Sequence, residues 1–264
     1  MFRPRVHSTA DFREVADVPV IDLARVKVVL LDIEGTTTPI EFVYQTLFPY
    51  ARANLKGFLY ENSGDLEVRD AILALKGHRE GEIRSGKMPP AWIADTRESN
   101  VDSAAEYGLW LMDQDSKIGP LKILQGLIWR RGYEAGRLRG QVYSDVPTAF
   151  ERWRRQAKEI AIYSSGSELA QKLLFGTTEF GDLTDYISSF FDTRVGAKTN
   201  AESYRRIATS LGAPEDRILF FSDAIAELNA ARSAGMRTAL VVRAGSGEGA
   251  PGEHSVIYNF DSLG

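Results

Sequence analysis

Asp32 and Glu34, two carboxylates one residue apart, close the apolar run Val28-Val29-Leu30-Leu31 and are followed by Gly35-Thr36-Thr37-Thr38. Burying two acids at the end of so apolar a run is costly unless they are paired or metal-bound. A carboxylate is a weak nucleophile, yet towards a polarised phosphate it can form an acyl phosphate, splitting hydrolysis into two easier steps. A second carboxyl can then protonate the leaving oxygen and later activate water. An acidic turn capping the next helix would explain one acid and the threonines, but not both acids.

Composition narrows the chemistry further. There is no cysteine, which removes disulfides, thiolate ligands and a cysteine nucleophile together. His7, His78 and His254 are far apart and make no ligand pair at helical spacing, so a bound metal would take oxygen ligands. A formal net charge of −4 offers no general positive field to nucleic acid or an anionic membrane, so an anionic substrate must be held by local groups. With 44% hydrophobic and 26% charged residues, the 264-residue chain is globular, and it is long enough for one large domain or for a core carrying an insert. The apolar runs are strand-length, well short of the ~20 residues of a membrane-spanning helix. The first 24 residues lack the continuous apolar stretch of a signal peptide, and a cytoplasmic location is expected.

The acids need a scaffold, and the apolar runs supply one. Residues 26–31 end at Asp32, 160–163 at Ser164, 218–221 at Ser222 and Asp223, and 238–242 at Arg243. Such runs read as strands buried on both faces. Segments 145–157, 167–175, 202–211 and 224–234 carry apolar residues at helical spacing, and Gly176, Gly212 and Gly235 suit their ends. Strand alternating with helix predicts an α/β fold with a doubly wound parallel sheet. Far more chain separates Asp32 from Ser164 than the dozen or so residues of one crossover. The insert reads as helices over 42–60, 65–75, 101–113 and 117–139, with loops at 77–90 and around Gly119-Pro120. An insert after the first strand lies over the carboxyl ends of the strands, where such sheets bind ligands, and so acts as a helical cap. The expected division is an N-terminal extension (1–25), a core (26–40 and 141–264) and a cap (41–140). The glycine-rich stretch 245–252 reads as a loop before a last short run, 255–260.

The stretch Asp32-Ile33-Glu34-Gly35-Thr36 resembles the first motif of the haloacid dehalogenase superfamily. Glutamate as the second acid, with Leu47-Phe48-Pro49-Tyr50 beyond it, is similar to one family within that group, the enolase-phosphatases of methionine salvage. The similarity continues through Tyr163-Ser164-Ser165-Gly166-Ser167, Phe191-Asp192-Thr193, Lys198, and Leu124-Gln125-Gly126 with Trp129. It implies a haloacid dehalogenase-like core with an inserted cap, and a magnesium-dependent enzyme acting on a small phosphate ester. The ester would be 2,3-diketo-5-methylthiopentyl-1-phosphate, first enolised and then hydrolysed to acireductone and phosphate. Another small phosphate ester on the same core is the alternative, because the core motifs specify phosphoryl transfer and not the leaving group.

By the resemblance, Asp32 is the nucleophile and Glu34 the acid and base; Ser164, Ser165 and Lys198 bind the phosphoryl group. Magnesium would be held by Asp32, the backbone carbonyl of Glu34, and Asp223. Each position also has a plainer reading. Ser165 or Ser167 could simply cap a helix, Lys198 could be a solvated loop lysine, and Glu227, which could support the magnesium shell, could equally be an acid favoured near a helix N-terminus. Leu121, Leu124, Ile128 and Trp129 could line an apolar pocket or pack the cap's own core. Lys122, Arg130, Arg131 and Arg137 are candidate substrate contacts or a solvated face. No nucleic-acid or membrane partner is expected, and a monomer is.

Overall fold

The computed structural model describes residues 21–244 and 252–263. The readings for 1–20 and for most of the glycine-rich loop, 245–251, lie outside the described residues.

The first apolar run forms β1 (Val28–Leu31), buried along its whole length. Strand side chains alternate between faces, and both faces of β1 are covered. Val29 and Leu31 enter one core and Val28 and Leu30 another. The other runs form β2 (Glu159–Tyr163), β4 (Ile218–Ser222), β5 (Arg237–Val241) and β6 (Ser255–Ile257), and β3 (Ser189–Phe191) joins them. The sheet is parallel with order β3-β2-β1-β4-β5-β6. Leu31 lies level with Ile162 on one side and with Phe221 on the other, so Asp32, Ser164 and Asp223 emerge at one edge of the sheet. The strand order reverses between β1 and β4, and that crevice is where an open α/β sheet takes its ligand.

Between β1 and β2 the chain makes five helices and then returns to the sheet. A short α1 (Ile40–Phe42) passes through a π-helical turn, Val43–Leu47, into α2 (Phe48–Asn62). Then come α3 (Leu66–Arg84), α4 (Arg97–Met112) and α5 (Gly119–Glu134), with α5 packed on α2 and α3. The return helix α6 (Asp145–Arg155) lays Trp153 on the sheet, its ring stacked on Phe221 at 6.1 Å. Beyond β2, α7 (Glu168–Gly176) touches α5 and ties the insert to the sheet. The layers are completed by α8 (Ala201–Leu211) and α9 (Ile225–Ser233).

Three local expectations change. Helix α3 runs on to Arg84 through Gly77 and Gly81, where a loop was expected. Interior glycine costs about 1 kcal/mol of helix propensity, but tertiary bonds outweigh it here. The Tyr107 hydroxyl lies 2.7 Å from His78 Nδ1 and donates to Glu82 at 3.0 Å, and Arg79 donates to the Pro90 carbonyl at 2.6 Å. Helix α5 begins on the expected loop residues Gly119-Pro120, because proline fits a first helical turn whose amides have no partner. Strand β3 was not expected at all; three residues are too few to show a period. Among the described residues no helix is long and apolar enough to cross a membrane.

Candidate active site

Asp32 is 3% exposed, and its amide donates to the Phe221 carbonyl at 3.0 Å, so the β1–β4 ladder reaches the acid itself. The chain then turns tightly. The amides of Thr36, Thr37 and Thr38 all donate to the Ile33 carbonyl, and the Thr37 hydroxyl donates to the Asp32 carbonyl at 3.0 Å. Gly35 sits at φ +70°, and a Cβ there would collide with the Asp223 carboxylate. Glycine is therefore required both by the backbone angle and by the approach of the β1 turn to Asp223. Arg243 braces the turn from outside. It donates to the Thr36 carbonyl at 2.7 and 3.0 Å, pairs with buried Asp145 at 2.8 Å, and lies 4.2 Å from the Tyr143 ring centroid.

Lys198 reaches Asp32 Oδ1 at 2.5 Å and Glu227 Oε2 at 2.7 Å, and is itself buried. The solvated-loop reading of Lys198 is thereby overturned. Three hydroxyls hold its loop by the backbone: Tyr163 donates to the Gly196 carbonyl, Ser203 to that of Ala197, and Tyr204 to that of Lys198, at 3.0, 2.8 and 2.7 Å. Burial alone would push the ammonium towards its neutral form, but Asp32, Glu227 and Glu34 outweigh it and raise its pKa. Ser222 lies within hydrogen-bond reach of both Asp32 Oδ2 and Glu227. Glu227 is thus more than a helix-terminal acid: through Lys198 and Ser222 it is wired to Asp32.

Glu34 accepts from the Ser164 hydroxyl at 3.3 Å, and the Gly166 amide donates to Ser164 Oγ at 3.1 Å. Burial, and then the charge of Asp32, raise the Glu34 pKa, so the carboxyl tends to keep its proton. The same two causes push Asp223 up to about 6 and Glu227 to about 7. Four carboxyls around one buried ammonium leave the site short of positive charge, which suits a hard divalent cation. No group of three metal-ligating side chains occurs among the described residues. Two carboxylates, Asp32 and Asp223, with a carbonyl from Glu34 make a smaller set, one that leaves magnesium several waters.

A cavity of about 390 Å³ opens beside Glu34. Its lining is mixed: Glu34, Ser164, Ser165, Lys122 and Gln125 contribute polar groups, Leu47, Phe48, Met112 and Trp129 apolar surface, and Arg52, Asp113, Asp115 and Lys117 further charges. Trp129 donates its ring N–H to the Leu47 carbonyl at 2.8 Å, which fixes the wall's orientation. Leu121, Leu124 and Ile128 are buried away from the cavity and pack the helical core. Arg130, Arg131 and Arg137 do not line it either, and Arg131 pairs with Glu61 at the surface. Ser167, not Ser165, caps α7, and Ser165 faces the cavity. Asp32, Glu34, Ser164, Lys198 and Asp223 thus converge at one sheet edge. The sequence marked Arg243 only as the end of a run and Gln125 only within the resembling Leu124-Gln125-Gly126 stretch; it gave neither the pairing of Arg243 with Asp145 nor the place of Gln125 in the cavity wall.

Comparisons with known proteins give the family. A family model for haloacid dehalogenase-like hydrolases matches residues 26–235. Enolase-phosphatase E1 of Synechococcus elongatus is 44% identical over 234 residues, covering 89% of this chain and 96% of that protein. Enolase-phosphatase E1 of Drosophila pseudoobscura pseudoobscura is 46% identical over 223 residues, covering 83% and 86%. Among solved structures, the UTR4 protein (Unknown transcript 4 protein) of Saccharomyces cerevisiae superposes with a TM-score of 0.72 at 34% identity, covering 90% of this chain and 100% of that one. The chain belongs to the haloacid dehalogenase-like hydrolases and, within them, to the enolase-phosphatase family.

Proposed function

We propose that this enzyme converts 2,3-diketo-5-methylthiopentyl-1-phosphate to acireductone and phosphate, in two half-reactions at one site. The observation that carries the reading is the cavity's mixed lining. Glu34 and Ser164 stand in its wall, and Leu47, Phe48, Met112 and Trp129 offer apolar surface that suits a short thioether tail.

In the first half-reaction a proton leaves the carbon beside the ketone and an enol phosphate results. In the second, Asp32 attacks phosphorus, the bond from phosphorus to the ester oxygen breaks, and Glu34 gives that oxygen its proton. Glu34 then takes a proton from water as water attacks the aspartyl phosphate, releasing phosphate and restoring Asp32. The elevated Glu34 pKa suits the acid role, because the carboxyl must hold a proton until the ester bond breaks. Ser164, Ser165 and Lys198 hold the phosphoryl oxygens, and Asp32, the Glu34 carbonyl and Asp223 hold magnesium. Bound there, the ion neutralises charge that develops on the phosphoryl group.

In the same reading residues 41–140 cap a core of 26–40 and 141–264 and keep bulk water from the phosphoenzyme. The substrate is a small phosphate ester, and the enzyme works as a cytoplasmic monomer. The test is incubation with the diketo phosphate and magnesium, following acireductone absorbance and phosphate release together. Both should rise in step. Phosphate release from other esters with none from the diketo compound would reject this substrate. Calcium, with longer bonds and higher coordination, should substitute poorly; full activity with calcium would count against the proposed ligand set.

A further inference from the structure

Asp32, Glu34, Ser164 and Lys198 are already bonded within the phosphoryl end of the site, whereas two polar side chains of α5 in the adjoining cavity meet no charged partner. Gln125 is 94% buried by its 6% exposure, lines the cavity, and its side-chain amide has no hydrogen-bond partner among the described residues. The amide's atoms are open to the cavity and not sealed from solvent, so they are free to hydrogen-bond a ligand there. One turn earlier on the same helix face, Lys122 also lines the cavity. Its Nζ donates to the Thr193 hydroxyl at 2.9 Å, which fixes the ammonium between α5 and the loop after β3.

The other cations on the cavity wall are neutralised. Arg52 pairs with Asp113 at 2.7 Å, and Lys117 lies 3.7 Å from Asp115. Lys122 has no carboxylate within ion-pair distance among the described residues; its one close partner is a neutral hydroxyl. Burial lowers its pKa, with Asp192 opposing and Lys117 assisting, so its amine form is more accessible than that of a solvated lysine. The enolisation needs a group able both to take and to give a proton beside the phosphoryl site, and the acids there are committed to phosphoryl transfer.

We infer that Lys122 is the proton carrier of the enolisation half-reaction and that Gln125 anchors the diketone. The inference rests on the proposed substrate. The amine of Lys122 takes the proton from the carbon bearing the phosphate ester. The C–H electron pair forms the new carbon–carbon double bond, and the carbonyl π pair moves onto oxygen. The resulting ammonium gives that oxygen its proton, so the lysine returns to the amine and the substrate has isomerised with nothing gained or lost. The Gln125 N–H groups donate to the vicinal ketone oxygens and hold the carbon acid under Nζ.

The experiment is single turnover with enzyme in excess, following the diketone by NMR and phosphate by release, for wild type, Lys122→Met, Lys122→Arg and Gln125→Met. Substrate with both protons at the ester carbon replaced by deuterium is run alongside. Lys122→Met should slow diketone loss by about a hundredfold, the lower part of the range for general acid–base groups. No enol phosphate should accumulate, and the deuterium effect on phosphate release should rise as proton transfer becomes limiting. Lys122→Arg should be equally slow, because guanidinium is not deprotonated in proteins. Gln125→Met should slow diketone loss by about tenfold with the same signature, the loss expected of one neutral hydrogen bond. Near-normal turnover by Lys122→Arg would overturn the proton-carrier role in favour of simple charge. Enol phosphate accumulating in Lys122→Met would overturn it by assigning the lysine to the phosphoryl step. A wild type that leaves the diketone untouched while hydrolysing other phosphate esters would reject the substrate reading itself; normal wild-type turnover with an unaffected Lys122→Met would reject only the lysine.

Discussion

The sheet edge and the α5 wall of the candidate active site are built on opposite plans. At the sheet edge the central groups have partners before any substrate arrives: Lys198 is bonded to Asp32 and Glu227, Ser164 to Glu34, and three hydroxyls hold the lysine's loop. On α5 the cavity presents an unbonded amide and a lysine held only by a threonine hydroxyl, above a wall of Phe48, Met112 and Trp129. Phosphoryl transfer gains from charges fixed in advance, since rearranging them during the reaction would raise the barrier. A group that must exchange a proton with carbon gains from the opposite, a neutral setting and no competing carboxylate. The contrast teaches that one cavity can serve two chemistries because its walls come from different elements.

Substitutions can separate the two regions. The largest effect is expected for Asp32→Asn, which keeps the shape and removes the charge of the proposed nucleophile. Phosphate release should fall by more than about ten-thousandfold, while the diketone still converts to enol phosphate. Phosphorus and proton NMR over time would show it. An unreacted diketone with magnesium still bound would join the two regions by making Asp32 the base for both halves.

Arg243→Met attacks the brace under the sheet-edge turn. Breaking one side of a buried ion pair costs about 3–5 kcal/mol, because Asp145 and the Thr36 carbonyl lose their buried donor. A urea midpoint unchanged from wild type would show that the turn does not depend on this brace. Lys198→Ala should lower the phosphatase rate by more than about tenfold without unfolding the chain, since the hydroxyls hold the loop by its backbone. An unchanged rate would remove Lys198 from the phosphoryl end.

The smallest effect belongs to the apolar wall. Phe48 lies 6.1 Å from Trp129, ring to ring, and Phe48→Ala removes apolar surface that, in the proposed reading, would contact the tail alike in ground and transition states. KM for the diketo phosphate should rise by about tenfold, with kcat nearly constant. A fall in kcat with KM unchanged would mean that this wall shapes the reacting geometry and not merely the grip on the tail.

How much of this could be read before folding follows from range along the chain. Asp32, Glu34, Ser164 and Asp223 were legible because each closes an apolar run, and a run's length and the residue that ends it are local properties. The parallel sheet followed from the same runs alternating with helical segments, which is why the fold class was read correctly while three-residue β3 was not. Helix α3 passed through two glycines because Tyr107, distant in sequence, bonds its far turns.

By itself, then, the sequence determined the acids at the strand ends, the sheet that aligns them and the helical insert above. Only the tertiary structure decided which other residues join them. Glu227 became a partner of Lys198, Arg243 a partner of Asp145, and α5 turned Lys122 and Gln125 into the cavity while sending Leu121 and Leu124 to the core. The physical reason is that an apolar period states which face of a helix is buried but not against what. A cavity is made where the packing of several elements fails to close, and no single stretch of chain records that.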